Sequence, residues 1–144
     1  MYRKILIALD NSPADENILA HVAQLAGLFH SEIVLLHVAD GWVARSFEQF
    51  KLAESEEMKN DRAYLETVAD RFRNQGIKVD ARLALGDPPR EILKAAKGEN
   101  CDLIAMAGHG HRWFGDILHG STITQVRHET TIPLLIVRGG RKSD

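Results

Sequence analysis

The sequence predicts an α/β fold, an open, twisted, parallel five-stranded sheet with helices on both faces. Three observations predict it. Four short runs rich in Ile, Leu and Val, at Ile5–Leu9, Ile33–Val38, Leu103–Met106 and Leu134–Val137, do not alternate strictly with polar residues. Strands buried on both faces of a parallel sheet read this way. Helical patterns fill the gaps between the runs, and strand–helix–strand alternation implies right-handed crossovers. Two glycine clusters, Gly108/Gly110 and Gly120-Ser121-Thr122, bracket nine residues after the third of these runs. Doubly wound sheets bind ligands at such turns, outside the carboxyl ends of their strands.

Each element has its own warrant. The first strand is ILIAL, ending at Asp10. Ser12-Pro13-Ala14-Asp15 then offers an N-cap serine, a proline at the first helical position and an acid three residues after the cap. Ile18, Val22, Leu25, Ala26 and Phe29 follow at helical spacing. After the second strand, a longer helix is predicted over 47–74. Leu65, Val68, Ala69 and Phe72 form its apolar stripe, and Gly76 stops it. Its first half, Glu48–Asp61, is highly charged and reads as a solvated helix face or a partner-facing excursion. Val79–Leu85 alternates in part, which suits an edge strand. A third helix is predicted over Pro89–Lys97, with Ile92 and Leu93 inward, and a fourth after Ser121.

The 144 residues are read as one domain, 1–144, long enough to bury a core without metals or disulfides. Charged residues make up 26%, with both signs interspersed and a net charge of −2. That balance gives no case for nucleic acid or an anionic membrane. No apolar stretch approaches a membrane span, and Met1-Tyr2-Arg3-Lys4 leads into too short a run for a secretory signal. A cytoplasmic location is therefore expected. The single Cys101 excludes an internal disulfide and reads as a small buried hydrophobe.

The segment Ala107–Thr122, AGHGHRWFGDILHGST, carries the chemistry. Glycine lets backbone N–H groups approach a ligand with no Cβ in the way. A helix start adds unpaired N–H groups and partial positive charge. Strand, glycine loop and helix N-terminus together make an anion site, most often for phosphate. The alternative is a glycine-rich surface loop that only turns the chain. Asp10, at a strand end, either accepts hydrogen bonds from a ribose or caps its own loop. His109 and His111 flank Gly110 without the further ligands a metal needs. They read as loop histidines, or as groups that polarise a phosphate. Trp113-Phe114 either covers a base, contacts a partner or anchors the loop to the core. The other five histidines, including His37, show no pattern, and there is no Walker A lysine motif and no G-x-S-x-G elbow.

Over essentially its whole length the chain resembles the universal stress protein family. The resemblance is carried by KILIALDNSPADENIL, LLHV at Leu35–Val38, GDP at Gly86–Pro88, CDLIAMAGHG and GSTITQVRHETTIPLLIV. ATP-binding members carry G-x2-G-x9-G-(S/T) between the fourth strand and fourth helix. Gly110, nine residues, and Gly120-Ser121 fit it, with Ala107 in the place of the first glycine. The resemblance implies a Rossmann-like strand order of 3-2-1-4-5. It implies ATP or another adenine nucleotide as ligand, with or without Mg. Asp10 would meet the ribose and the backbone at Val38 the adenine edge. Gly108, Gly110, Gly120, Ser121 and Thr122 would hold the phosphates. It also implies a homodimer through Leu134–Val137, which would otherwise be an exposed apolar edge. The expected role is a nucleotide-dependent regulatory module acting on a protein partner. The alternatives are a slow ATPase or nucleotide transferase using His109 or His111, and a nucleotide-free interaction protein.

Overall fold

In the computed structural model of the chain, residues 1–39, 56–108 and 120–138 are described. Five parallel strands, β1 (Lys4–Leu9), β2 (Glu32–Ala39), β3 (Val79–Leu85), β4 (Leu103–Gly108) and β5 (Leu134–Arg138), form one sheet. Their order is β3-β2-β1-β4-β5, as expected. Among the described residues, four helices, α1 (Asp15–Phe29), α2 (Glu56–Arg73), α3 (Pro88–Gly98) and α4 (Gly120–Glu129), lie between them in sequence.

The apolar runs explain the layering. Successive side chains of a strand point to opposite faces. Ile5, Ile7, Leu9, Ile33 and Leu35 pack on one face with Ile18 and Val22 of α1 and Leu65, Val68 and Phe72 of α2. Leu6, Ala8, Val34, Leu36 and Val38 pack on the other with Ile92 of α3 and Val126 of α4. The central strands are thus buried on both sides. Among the described residues, the two outermost strands are only half-buried. Cys101 belongs to the second cluster, and burial pushes its thiol up to about 11. That leaves little thiolate at neutral pH.

Helix boundaries shift from expectation in places. α1 begins at Asp15, and Ala14 stands at the cap with no side-chain cap bond of its own. Ser12 still acts locally, its Oγ accepting from the Ala14 N–H at 3.3 Å. α2 is described from Glu56 to Arg73; the predicted stretch 47–55 lies outside the described residues. Its stop is as expected, with Gly76 at φ +79° donating its N–H to the Arg73 carbonyl. α3 starts at Pro88, one residue earlier than expected, because Asp87 is its N-cap and accepts from the Arg90 N–H at 3.4 Å. Gly86 precedes it at φ +139°, a conformation that side-chain-bearing residues rarely adopt.

Candidate functional site at the carboxyl edge of the sheet

Strand order reverses between β1 and β4, since β1 leads to β2 on one side while β3 crosses over to β4 on the other. A crevice at the carboxyl ends of those two strands is where such sheets bind ligands. Register brings the expected residues into one row. Leu9 pairs with His37, so Asp10 stands level with Val38. Ala8 pairs with Met106, so Asp10 also stands level with Gly108. Gly108 in turn pairs with Arg138 of β5. Val38, Asp10, Gly108 and Arg138 thus mark the same rung of four adjacent strands.

The individual positions then differ in use. Val38 is buried against the α3/α4 layer. Gly108 is required by packing: a Cβ there would lie 2.9 Å from Cγ2 of Ile136. Ala107 sends its methyl to the opposite face, into the cluster under α1. The methyl at the first motif position therefore sits in the core. α4 begins at Gly120 and has no acid in its first turn, with Ser121 exposed and Thr122 buried. Its first N–H groups have no partner within the helix itself and carry the positive end of its dipole. Gly110, His109, His111, Trp113 and Phe114 lie outside the described residues.

The turn after β1 is held by buried side chains. The Asp15 carboxylate, fully buried, accepts the backbone N–H groups of Asp10 at 3.0 Å, Asn11 at 2.9 Å and Ser12 at 3.4 Å. Tyr64 of α2 donates its hydroxyl to the same carboxylate. Burial pushes the Asp15 carboxyl above its ordinary value, and the bonds from Tyr64 and Asp10 draw it part of the way back. Burial and the bond to Asp15 push the Tyr64 phenol up in turn.

A second buried acid completes the arrangement. Asp61 of α2 sits 3.2 Å from His37 Nε2 through one oxygen and accepts from Asn11 Nδ2 at 2.8 Å through the other. His37 Nδ1 faces the Leu9 carbonyl at 2.9 Å. Sequence reasoning missed Asp15, His37, Asp61 and Tyr64 as members of this site. Two signals were available. A histidine inside an apolar strand run must find partners for both ring nitrogens. Asp61 also shares the helical stripe of Leu65, Val68 and Phe72, so an acid on that stripe faces inward.

The two junctions offer different groups to a ligand. An acidic side chain stands level with the end of β2, and an acid-free helix N-terminus begins beyond β4. The first offers acceptors for sugar hydroxyls and the second donors for phosphate oxygens. The description "Universal stress protein family" fits the chain over residues 1–138.

The chain belongs to the universal stress protein family. Universal stress protein MJ0577 of Methanocaldococcus jannaschii is 32% identical to it over 96% of each chain. The solved structure of protein MJ0577 matches it at a TM-score of 0.78 and 31% identity, covering 99% of each chain. A universal stress protein of Archaeoglobus fulgidus, solved in complex with dAMP, shares the fold at a TM-score of 0.70 and 19% identity, over 94% of this chain and 98% of that one. The present sheet carries helices on both faces.

Proposed function

We propose that this universal stress protein binds ATP or another adenine nucleotide across the β1/β4 crevice. It would act as a nucleotide-dependent regulatory module, without efficient turnover. The observation that carries the reading is the shared rung of Val38, Asp10 and Gly108, followed by an acid-free helix start at Gly120. In this reading the backbone at Val38 meets the adenine edge and Asp10 accepts from the ribose. Gly108, Gly110, Gly120, Ser121 and Thr122 take the phosphates, whose charge Mg would share where it accompanies the nucleotide. The dAMP complex of the Archaeoglobus fulgidus protein supports an adenine nucleotide on this fold. A protein partner would read the nucleotide state.

We read the assembly as a homodimer through β5. Ile136 is 41% exposed on a strand whose outer edge has no partner strand among the described residues. An apolar edge of that kind invites pairing with its twin about a two-fold axis.

Calorimetric titration with ATP tests the nucleotide reading. A valine side chain at the start of α4 blocks close approach of phosphate to the helix N–H groups. Gly120→Val should weaken ATP at least tenfold, about 1.4 kcal/mol or more. Unchanged affinity in a folded Gly120→Val protein rejects the phosphate site. Turnover measured on the same pair of proteins separates a binding module from a slow ATPase.

A further inference from the structure

The peptide unit between Leu9 and Asp10 is gripped at both ends by buried side chains. Its carbonyl faces His37 Nδ1 at 2.9 Å, and its N–H goes to Asp15 at 3.0 Å. The next residue, Asn11, is in the left-handed region at φ +57° and donates its side-chain amide to Asp61 at 2.8 Å. Asp61 meets His37 Nε2 with its other oxygen at 3.2 Å. Asp10 is therefore flanked on both sides by groups that one buried pair holds. His37 is 3% exposed and Asp61 is 6% exposed, so neither contact is shared with bulk water.

The chemistry of the pair is constrained. A carbonyl oxygen only accepts, so Nδ1 of His37 carries a proton. Nε2 faces a carboxylate, which is attractive only if a second proton lies between them. His37 and Asp61 thus meet in a buried contact that spans β2 and α2. Their bonds go to the backbone before Asp10 and the side chain after it.

We propose that His37 and Asp61 are positioning residues that set Asp10 for contact with a ribose diol. The proposal rests on the adenine-nucleotide reading above. It makes sugar recognition depend on the docking of α2, because Asp61 is the only member of the chain His37–Asp61–Asn11 that lies on that helix. A nucleotide that grips Asp10 is then linked to the seating of a whole helix.

The test is the ratio of affinities for ATP and 2′,3′-dideoxyATP, measured by calorimetry on the full chain. In the wild type the hydroxyls should be worth about tenfold, the loss expected when a charged acceptor is left without its donors. Asp10→Ala should bring the ratio close to one. Asp61→Ala should lower it at least threefold, because Asn11 and His37 lose their shared partner. Asp61→Asn should restore it, since an amide donates to a neutral His37 Nε2 and accepts from Asn11 Nδ2. Asn11→Gly serves where Asp61→Ala does not fold. Glycine adopts the left-handed φ without strain and removes only the bond to Asp61, and it too should lower the ratio at least threefold. Loss of thermal stability with an unchanged ratio in Asp61→Ala and Asn11→Gly overturns the positioning role while leaving the nucleotide reading intact. A wild type that fails to bind ATP, or binds both nucleotides equally, removes the ribose contact itself and the proposal with it.

Discussion

The β1–α1 and β4–α4 junctions stand side by side at the carboxyl edge of the sheet and differ in what meets their helix N-termini. The first turn of α1 carries Asp15 and Glu16, and Asp15 turns back to absorb three N–H groups of the preceding turn. The first turn of α4 carries no acid and opens with Gly120 and Ser121. Both are converging backbone donors at the positive end of a helix dipole. One is neutralised by the chain's own carboxylate, so it serves as scaffold. The other has no acid of its own in its first turn. The proposed nucleotide would accordingly put its phosphates on the β4–α4 side and its sugar at Asp10.

Removing the internal anion should produce the largest effect. Asp15→Ala leaves the buried N–H of Asp10, the part-buried N–H groups of Asn11 and Ser12 and the Tyr64 hydroxyl without their acceptor. Unsatisfied buried donors cost about 1–3 kcal/mol each where water cannot reach them. We expect a net loss of about 3 kcal/mol in urea unfolding. A loss below about 1 kcal/mol would mean that water replaces the carboxylate and that the two junctions are less different than drawn. The pH dependence has a defined sign. Burial raises the folded-state pKa of Asp15, so the folded chain holds that proton more tightly than the unfolded one. Its stabilising contribution is complete below the ordinary carboxylate value of about 4 and is lost as pH rises through the raised value. Asp15→Asn cannot titrate. Its stability relative to wild type should therefore improve as pH is raised from about 3.5 to 7.

The second effect in size concerns the sugar. Asp10→Ala should weaken ATP and adenosine alike by about 1–3 kcal/mol, because a charged hydrogen bond is lost and the phosphates are untouched. Gly120→Val should instead weaken ATP and spare adenosine. Equal losses of both ligands in both variants would erase the division of labour between the two junctions.

Sequence and structure agree unevenly across these same two regions, for physical reasons. The strand runs and the stop at Gly76 are legible, because burial on both faces and a left-handed glycine leave local signatures, whereas the order of the sheet follows from the family resemblance. The row of Val38, Asp10 and Gly108 was legible as separate residues, and only register shows that they share a rung. The pair of His37 and Asp61 was not found. His37 shows no pattern among the other histidines, and Asp61 ends the highly charged stretch Glu48–Asp61. Their partnership joins a strand to a helix well along the chain, and no periodicity encodes such a contact. In the sequence Asp15 stands in a local capping motif. It does reach back to Ser12, but its closer bonds go to Asp10 and Asn11.

The smallest effect is expected at Ala107, and it sharpens the contrast within β4 itself. Ala107 and Gly108 are neighbours at the end of the strand, yet their side-chain directions oppose each other. Ala107 is fully buried in the cluster beneath α1, whereas the missing Cβ of Gly108 points at Ile136 on the other face. The methyl of Ala107 is thus core, on the face away from α4. Ala107→Gly removes about one buried methyl group and loosens the strand backbone, which together cost about 1 kcal/mol of stability. ATP affinity should stay within about twofold of wild type, since a shift that small is near 0.4 kcal/mol. Thermal melts and calorimetry on the same preparation give both numbers. A tenfold gain in ATP affinity at unchanged stability would place the methyl against the phosphates and overturn the assignment of faces. A loss of stability with constant affinity would confirm that this position of the motif tolerates alanine because its side chain never meets the ligand.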